Sequence, residues 1–252
     1  MGRLQYLNLY PMTFHEYLIA MGKDPMAAHV KKNQAGVAQH IQQMILAELK
    51  NYFFVGGMPE CVKTWRDTGS MLETFKVQSE ILDSYRDDFS KYTPRVDTNC
   101  MDTVFLNLAR AVGEQIKYTR LNQGHTSPTN RKAFDLLVKA RLVQKIPAAS
   151  PGLPLGATAN QKKFKTAMLG IGLLQRLCQV PVEMELKQED RLAMYRGKLA
   201  DSSWPRNCWL CRTHRSIIGP GKSRAVMQKW ISSLCVMETS TQLKSNPVPV
   251  AV

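Results

Sequence analysis

The sequence contains no apolar run approaching the ~20 residues that a helical membrane span needs. Its first residues, MGRLQYLNLYPM, lack the long apolar core of a secretory signal. These two absences make a cytoplasmic location the expectation and remove the membrane from the expected partners. Cysteine is sparse: six, scattered through 252 residues, do not form a disulfide framework. Acidic residues are also scarce, 20 against 34 lysines and arginines, leaving a formal charge of +14. That excess favours anionic partners, nucleic acid most often, although a basic surface without a ligand carries the same charge. Apolar residues are plentiful. At 44% of the chain they suffice for one large domain or two small ones, which argues against global disorder.

The local signals describe a chain of helices. Leu4 to Leu9 reads as a short strand stopped by Pro11. Thr13 and Glu16 have capping-box spacing, so a helix is expected from Phe14 to Met21, ended by Gly22. Pro25 opens a further short piece. Val37, Ile41, Met44, Ile45, Leu49 and Tyr52 recur at helical spacing. Gly56-Gly57 stops that helix and Pro59 suits the first turn of the next, which runs to Arg66. Ser70 and Glu73 form a second capping box before a long helix to Tyr92. Its inward side should carry Leu72, Phe75, Val77, Leu82, Tyr85 and Phe89.

A different pattern follows Pro94. Met101, Val104, Phe105, Leu108 and Val112 mark a helix, Tyr118 to Asn122 a short helical stretch, and Gly124 a turn. Ser127-Pro128 reads as N-cap and first residue of a helix that continues through Phe134, Leu137, Val138 and Arg141. Leu142 to Ile146 reads as a strand, Pro147 to Gln161 as a loop and Lys163 to Leu169 as the returning strand. This order is the layout of a winged helix-turn-helix. The capped helix would be its recognition helix, with Thr129, Asn130, Arg131 and Lys132 exposed towards double-stranded DNA. A protein-contact module with a solvated basic face has the same layout.

Beyond Ala200 no periodicity holds. Cys208, Cys211, His214 and Cys235 have zinc-like spacing. Ser216 to Ser223, SIIGPGKS, approaches a phosphate-binding loop but has Ser216 where the first glycine belongs and no apolar strand before it. Neither motif has the structural context its chemistry needs, so no metal, cofactor or catalytic residue is expected.

Four stretches in order, LNLYPMTFHEYL (Leu7 to Leu18), VGGMPECV (Val55 to Val62), ILDSYRDDFSKY (Ile81 to Tyr92) and KKFKTAMLGIGLL (Lys162 to Leu174), resemble bacterial and archaeal AAA-type P-loop ATPases that carry the DUF 4143 domain. The resemblance runs from Leu4 to Ala200. It implies an ATPase domain before this region and a PD-(D/E)xK nuclease-like domain after it. The family's FLD-x-GLL pattern is altered here, with Gly170 where the aspartate is expected. No nucleotide-binding residue of the family can be placed on this chain. After YRGKLA the text departs from the family, and a shifted reading frame restores it. Met227 before Gln228 forces alanine and Trp230 before Ile231 forces aspartate, which allows A-E-V-D. Gln242 to Pro247 permits V-E-V-K-S-G, and the stretch from Ser202 permits QFVAQELLA.

The expected fold is therefore mainly α, a helical region followed by a winged helix-turn-helix with a small β wing. The expected divisions are 1–94 helical, 95–180 winged-helix-like, 181–200 a connecting helix and 201–252 an irregular tail in place of the nuclease-like domain. The expected role is a non-catalytic binding fragment of an AAA-type ATPase family protein, acting on duplex DNA, a separate ATPase subunit or another protein partner. A decayed fragment without independent function, and an ATP-binding or nuclease-like enzyme as in intact relatives, are the alternatives.

Overall fold

A computed structural model describes residues 9–32, 39–92, 96–149 and 159–179. The described residues are mainly helical, with one small antiparallel sheet. Helices α1 (Phe14–Ala20), α2 (Asp24–Lys32), α3 (Gln39–Val55), α4 (Pro59–Thr68) and α5 (Met71–Phe89) come first. Then follow α6 (Thr98–Arg110), a 3₁₀ turn at Tyr118–Arg120, α7 (Ser127–Lys139), strands β1 (Val143–Ala149) and β2 (Ala159–Met168), and α8 (Ile171–Leu177). Among these residues no helix is long and apolar enough to cross a membrane. Of the expected strand Leu4 to Leu9 only Leu9 is described, exposed and outside any strand, while the connecting helix and the tail, with its zinc-like and P-loop-like motifs, lie outside the described residues.

The local signals act where they stand. The Thr13 hydroxyl accepts from the Glu16 amide, and Glu16 accepts from the Thr13 amide at 2.7 Å, so the capping box is complete. The second box is only half made. Ser70 Oγ accepts from the Glu73 amide, but the Ser70 amide donates instead to Thr68 Oγ1 at 3.1 Å. α5 buries Thr74, Phe75, Gln78, Leu82 and Phe89 along one stripe. Leu72 lies to one side of that stripe and is 73% exposed, contrary to the inward place its apolar character suggests. Met44, at the edge of the α3 stripe, is half exposed for the same reason.

Gly56 leaves α3 with φ +75° and Pro59 opens α4. Between them the backbone is crowded. The Met12 amide donates to the Gly57 carbonyl at 2.6 Å, and Tyr52 Oη donates to the Met12 carbonyl at 2.9 Å. A Cβ on Gly57 would sit 2.2 Å from the Met12 oxygen. The last α3 carbonyls, Phe54 and Val55, have no partner within the helix, and Gln78 Nε2 of α5 donates to both, at 2.9 and 3.1 Å. Gly172 of α8 packs against the same carbonyls, so closely that a Cβ there would lie 2.7 Å from Val55 O.

α8 was not legible as an element. It follows β2 at once, with Gly170 as a capping residue that offers no side chain. It carries the chain from the hairpin back onto α3 and α5, where Arg176 Nε donates to Ser79 Oγ at 2.8 Å. One apolar cluster consequently runs from Phe14 to Leu177 through both halves.

Candidate nucleic-acid interface

Charge is divided unevenly between the two halves. Residues 1–94 hold ten lysines and arginines against ten acids; residues 95–180 hold thirteen against four. The candidate surface therefore belongs to α6, α7 and the hairpin.

Asp97 caps α6, accepting from the Cys100 amide. α6 turns its apolar face, Met101, Val104, Phe105 and Leu108, against α7 and the core. After Gly113 the chain runs extended to the 3₁₀ turn, and on the way the Ile116 amide donates to Phe164 O of β2 at 2.9 Å. The connection thus touches the edge of the hairpin. β1 and β2 pair from Val143 opposite Met168 to Pro147 opposite Phe164, with an irregularity between Pro147 and Ala148. Both strands are longer than the sequence pattern suggests: β1 takes in 147–149 and β2 takes in 159–161, residues that the pattern reads as loop.

α7 begins one residue away from expectation. Ser127 is its first helical residue, Thr126 is the cap, and Thr126 Oγ1 meets Thr129 Oγ1 at 2.9 Å. Of the four residues expected to face a ligand, Arg131 and Lys132 are exposed and Thr129 is half-buried. Asn130 requires correction: it is fully buried. Its Nδ2 donates to the carbonyls of Tyr118 and Asn122, at 3.0 and 2.8 Å, and Cys100 Sγ lies 3.8 Å from its Oδ1. It holds the 3₁₀ turn against α7 and cannot also meet a base. A polar side chain near a helix start reads as exposed until its partners, 8 and 12 residues earlier, are in place.

α7 ends at Lys139. Arg141 then adopts φ +63°, and the amides of Arg141 and Leu142 donate to Val138 O and Leu137 O. This is a Schellman closure with arginine where glycine is usual. A left-handed non-glycine residue costs roughly 1–2 kcal/mol, and the exposed guanidinium stays at the base of the hairpin. Arg141→Gly should raise stability by about 1 kcal/mol; thermal melts of the variant beside the parent check the direction.

The hairpin adds residues that the sequence pattern did not single out. Phe164, Phe134 and Tyr118 form an aromatic triangle with centroids 5.2, 5.3 and 5.6 Å apart. Lys145 lies over the Phe164 ring, its Nζ 4.6 Å from the centroid. Burial lowers the Lys145 pKa; Asp135 opposes that shift and Arg131 adds to it. Burial likewise raises the Tyr118 phenol, with the same two charges acting on it. The strand alternation around Lys145 was the available signal, since it places this lysine on the face of Val143.

No group of three or more metal-ligating side chains occurs among the described residues. Cys61 is fully buried, and burial pushes its thiol up to about 12, which makes it an inert core group.

Residues 46–184 match the family described as "Domain of unknown function (DUF8612)". No curated protein and no solved structure matches the chain significantly. The matched stretch begins within α3 and runs beyond α8, so it takes in helices from both sides of residue 94.

Proposed function

The chain belongs to the DUF8612 family, and from that premise we propose that it is a non-catalytic binding module. Its basic half would be a winged helix that binds duplex DNA mainly through the phosphate backbone. The observation that carries this reading is the charge division. Thirteen basic residues against four acids fall on 95–180, the stretch arranged as helix, turn, helix and hairpin, while 1–94 is neutral. The Ile116 bond to Phe164 supports the winged-helix reading, because it sets a third extended segment beside the hairpin. Arg131, Lys132 and Arg141 supply exposed cations on and just after α7. With Asn130 turned inward, phosphate contacts outnumber groups suited to read base edges, so weak sequence preference is part of the proposal.

The resemblance to AAA-type ATPases carrying DUF 4143 gives this module a context: an accessory region that brings an ATPase subunit to DNA. The test is direct. Fluorescence anisotropy of the whole chain with short duplexes of unrelated sequence should show similar affinities. Log K should fall linearly with log salt, by roughly 0.9 for each phosphate neutralised. No binding at low ionic strength would reject the reading.

A further inference from the structure

Lys145, Thr166 and Phe164 share one face of the hairpin, because Lys145 is opposite Thr166 and Pro147 opposite Phe164. Most of that face is core: Val143, Phe164, Thr166 and Met168 are all buried. Lys145 is half-buried at its margin. Its ammonium rests on an aromatic ring, and among the described residues no carboxylate forms an ion pair with it. Thr166 Oγ1, directly across the hairpin, is buried without a hydrogen-bond partner. A partly desolvated cation held by a ring and not by an acid remains attractive to an incoming anion.

The neighbouring charges on α7 complete the arrangement. Arg131 Nε lies 3.7 Å from Asp135 Oδ2, and both side chains are more than half exposed. Exposed pairs of this kind contribute about 0–1 kcal/mol, so a phosphate can displace Asp135 from the guanidinium at little cost. Tyr118 and Lys145 both meet the Phe164 ring, at 5.3 and 4.6 Å, and so does Phe134, three residues after Arg131 on α7, at 5.2 Å, so the start of α7, the 3₁₀ turn and β1 come together here.

We propose that Lys145, Arg131 and the Tyr118 phenol form a notch between α7 and β1 that receives one backbone phosphate of duplex DNA. The notch deepens the binding reading above and rests on it. Asp135 acts as its built-in competitor: it holds Arg131 in the free protein and releases it to the phosphate. The cation–π contact fixes Lys145 in place, so less side-chain freedom is lost on binding than for a lysine in solvent.

The experiment uses the whole chain, a labelled duplex DNA and a salt series. Lys145→Met should weaken binding about fivefold and reduce the salt slope by about 1. Asp135→Asn removes an exposed acid and should tighten binding about threefold, with a melting curve matching the parent's. Because Asp135→Asn is expected to leave the fold intact, it carries the test even if Lys145→Met destabilises the hairpin. A parent chain that binds normally while both folded variants match it overturns the notch alone. A parent chain that binds no duplex overturns the reading beneath it. Inorganic phosphate should displace duplex only as ordinary salt does; saturable displacement at lower concentration would assign the notch to a free phosphate and overturn the duplex assignment.

Discussion

Gly57→Ala should lower stability by about 3 kcal/mol or more, a fall of roughly 6–12 °C in Tm for a chain of this size. The new Cβ would stand 2.2 Å from the Met12 carbonyl oxygen, 2.9 Å from its nitrogen and 3.0 Å from its carbonyl carbon. All three are backbone atoms, so no side chain can rotate away. Moving the Met12 segment aside breaks the bond from its amide to Gly57 O and strains the bond from Tyr52 Oη. Those contacts bring the segment before α1 onto the α3–α4 joint. Gly69→Ala is the contrasting case. Gly69, unlike Gly57, has positive φ, +61°, but among the described residues nothing lies within 4 Å of its Cβ position. Its loss should be limited to the left-handed penalty, roughly 1–2 kcal/mol. A loss in Gly57→Ala no larger than that in Gly69→Ala, by denaturant titration, would show that the close approach of Met12 relaxes at little cost.

Asn130→Ala should cost about 2–3 kcal/mol, the second large effect. It removes both donors to Tyr118 O and Asn122 O, leaving two carbonyls in a partly buried turn without their partner. Asn130→Asp keeps the shape and should be at least as damaging, because it sets a buried carboxylate against two carbonyl oxygens. Arg131→Ala, one residue on, should change stability by less than about 0.5 kcal/mol, since its pair with Asp135 is exposed. The same substitution should weaken duplex binding. Adjacent residues of α7 thus separate into one that builds the turn and one that stands exposed. A melting curve for Asn130→Ala that overlays the parent's would contradict the clamp.

Signals completed within a few residues were legible in the sequence. Thr13 and Glu16 made their box, and Gly56 and Pro59 ended and began their helices. Such devices need only neighbours three or four positions away. Helix faces were legible in outline: Phe75, Leu82 and Phe89 point inward, whereas Leu72 does not, because apolar character alone does not say how far round a helix the partner reaches. Buried polar residues were not legible. Gln78 and Asn130 are buried polar side chains that join elements, and each looks like an ordinary surface residue until the carbonyls it serves are known. Gln78 reaches back 23 and 24 positions for them. The candidate surface was half visible. Arg131 and Lys132 could be read from helix spacing, but Lys145 required knowing which face of the hairpin meets α7.

The sequence by itself determined a mainly helical chain, the joints at Gly56-Gly57 and Gly22, and a basic charge collected in residues 95–180. Those properties follow from local capping, backbone preference and composition, which no distant contact is needed to express. Only the tertiary structure decided that VGGMPECV is where three parts of the chain converge. There the Met12 segment, Gln78 of α5 and Gly172 of α8 all approach the end of α3. It also decided that Asn130 faces inward and that Lys145 rests on an aromatic ring beside α7. The physical reason is common to all of these. An unpaired carbonyl or a desolvated cation makes a demand that the sequence records at one position and satisfies at another, and folding brings the two together.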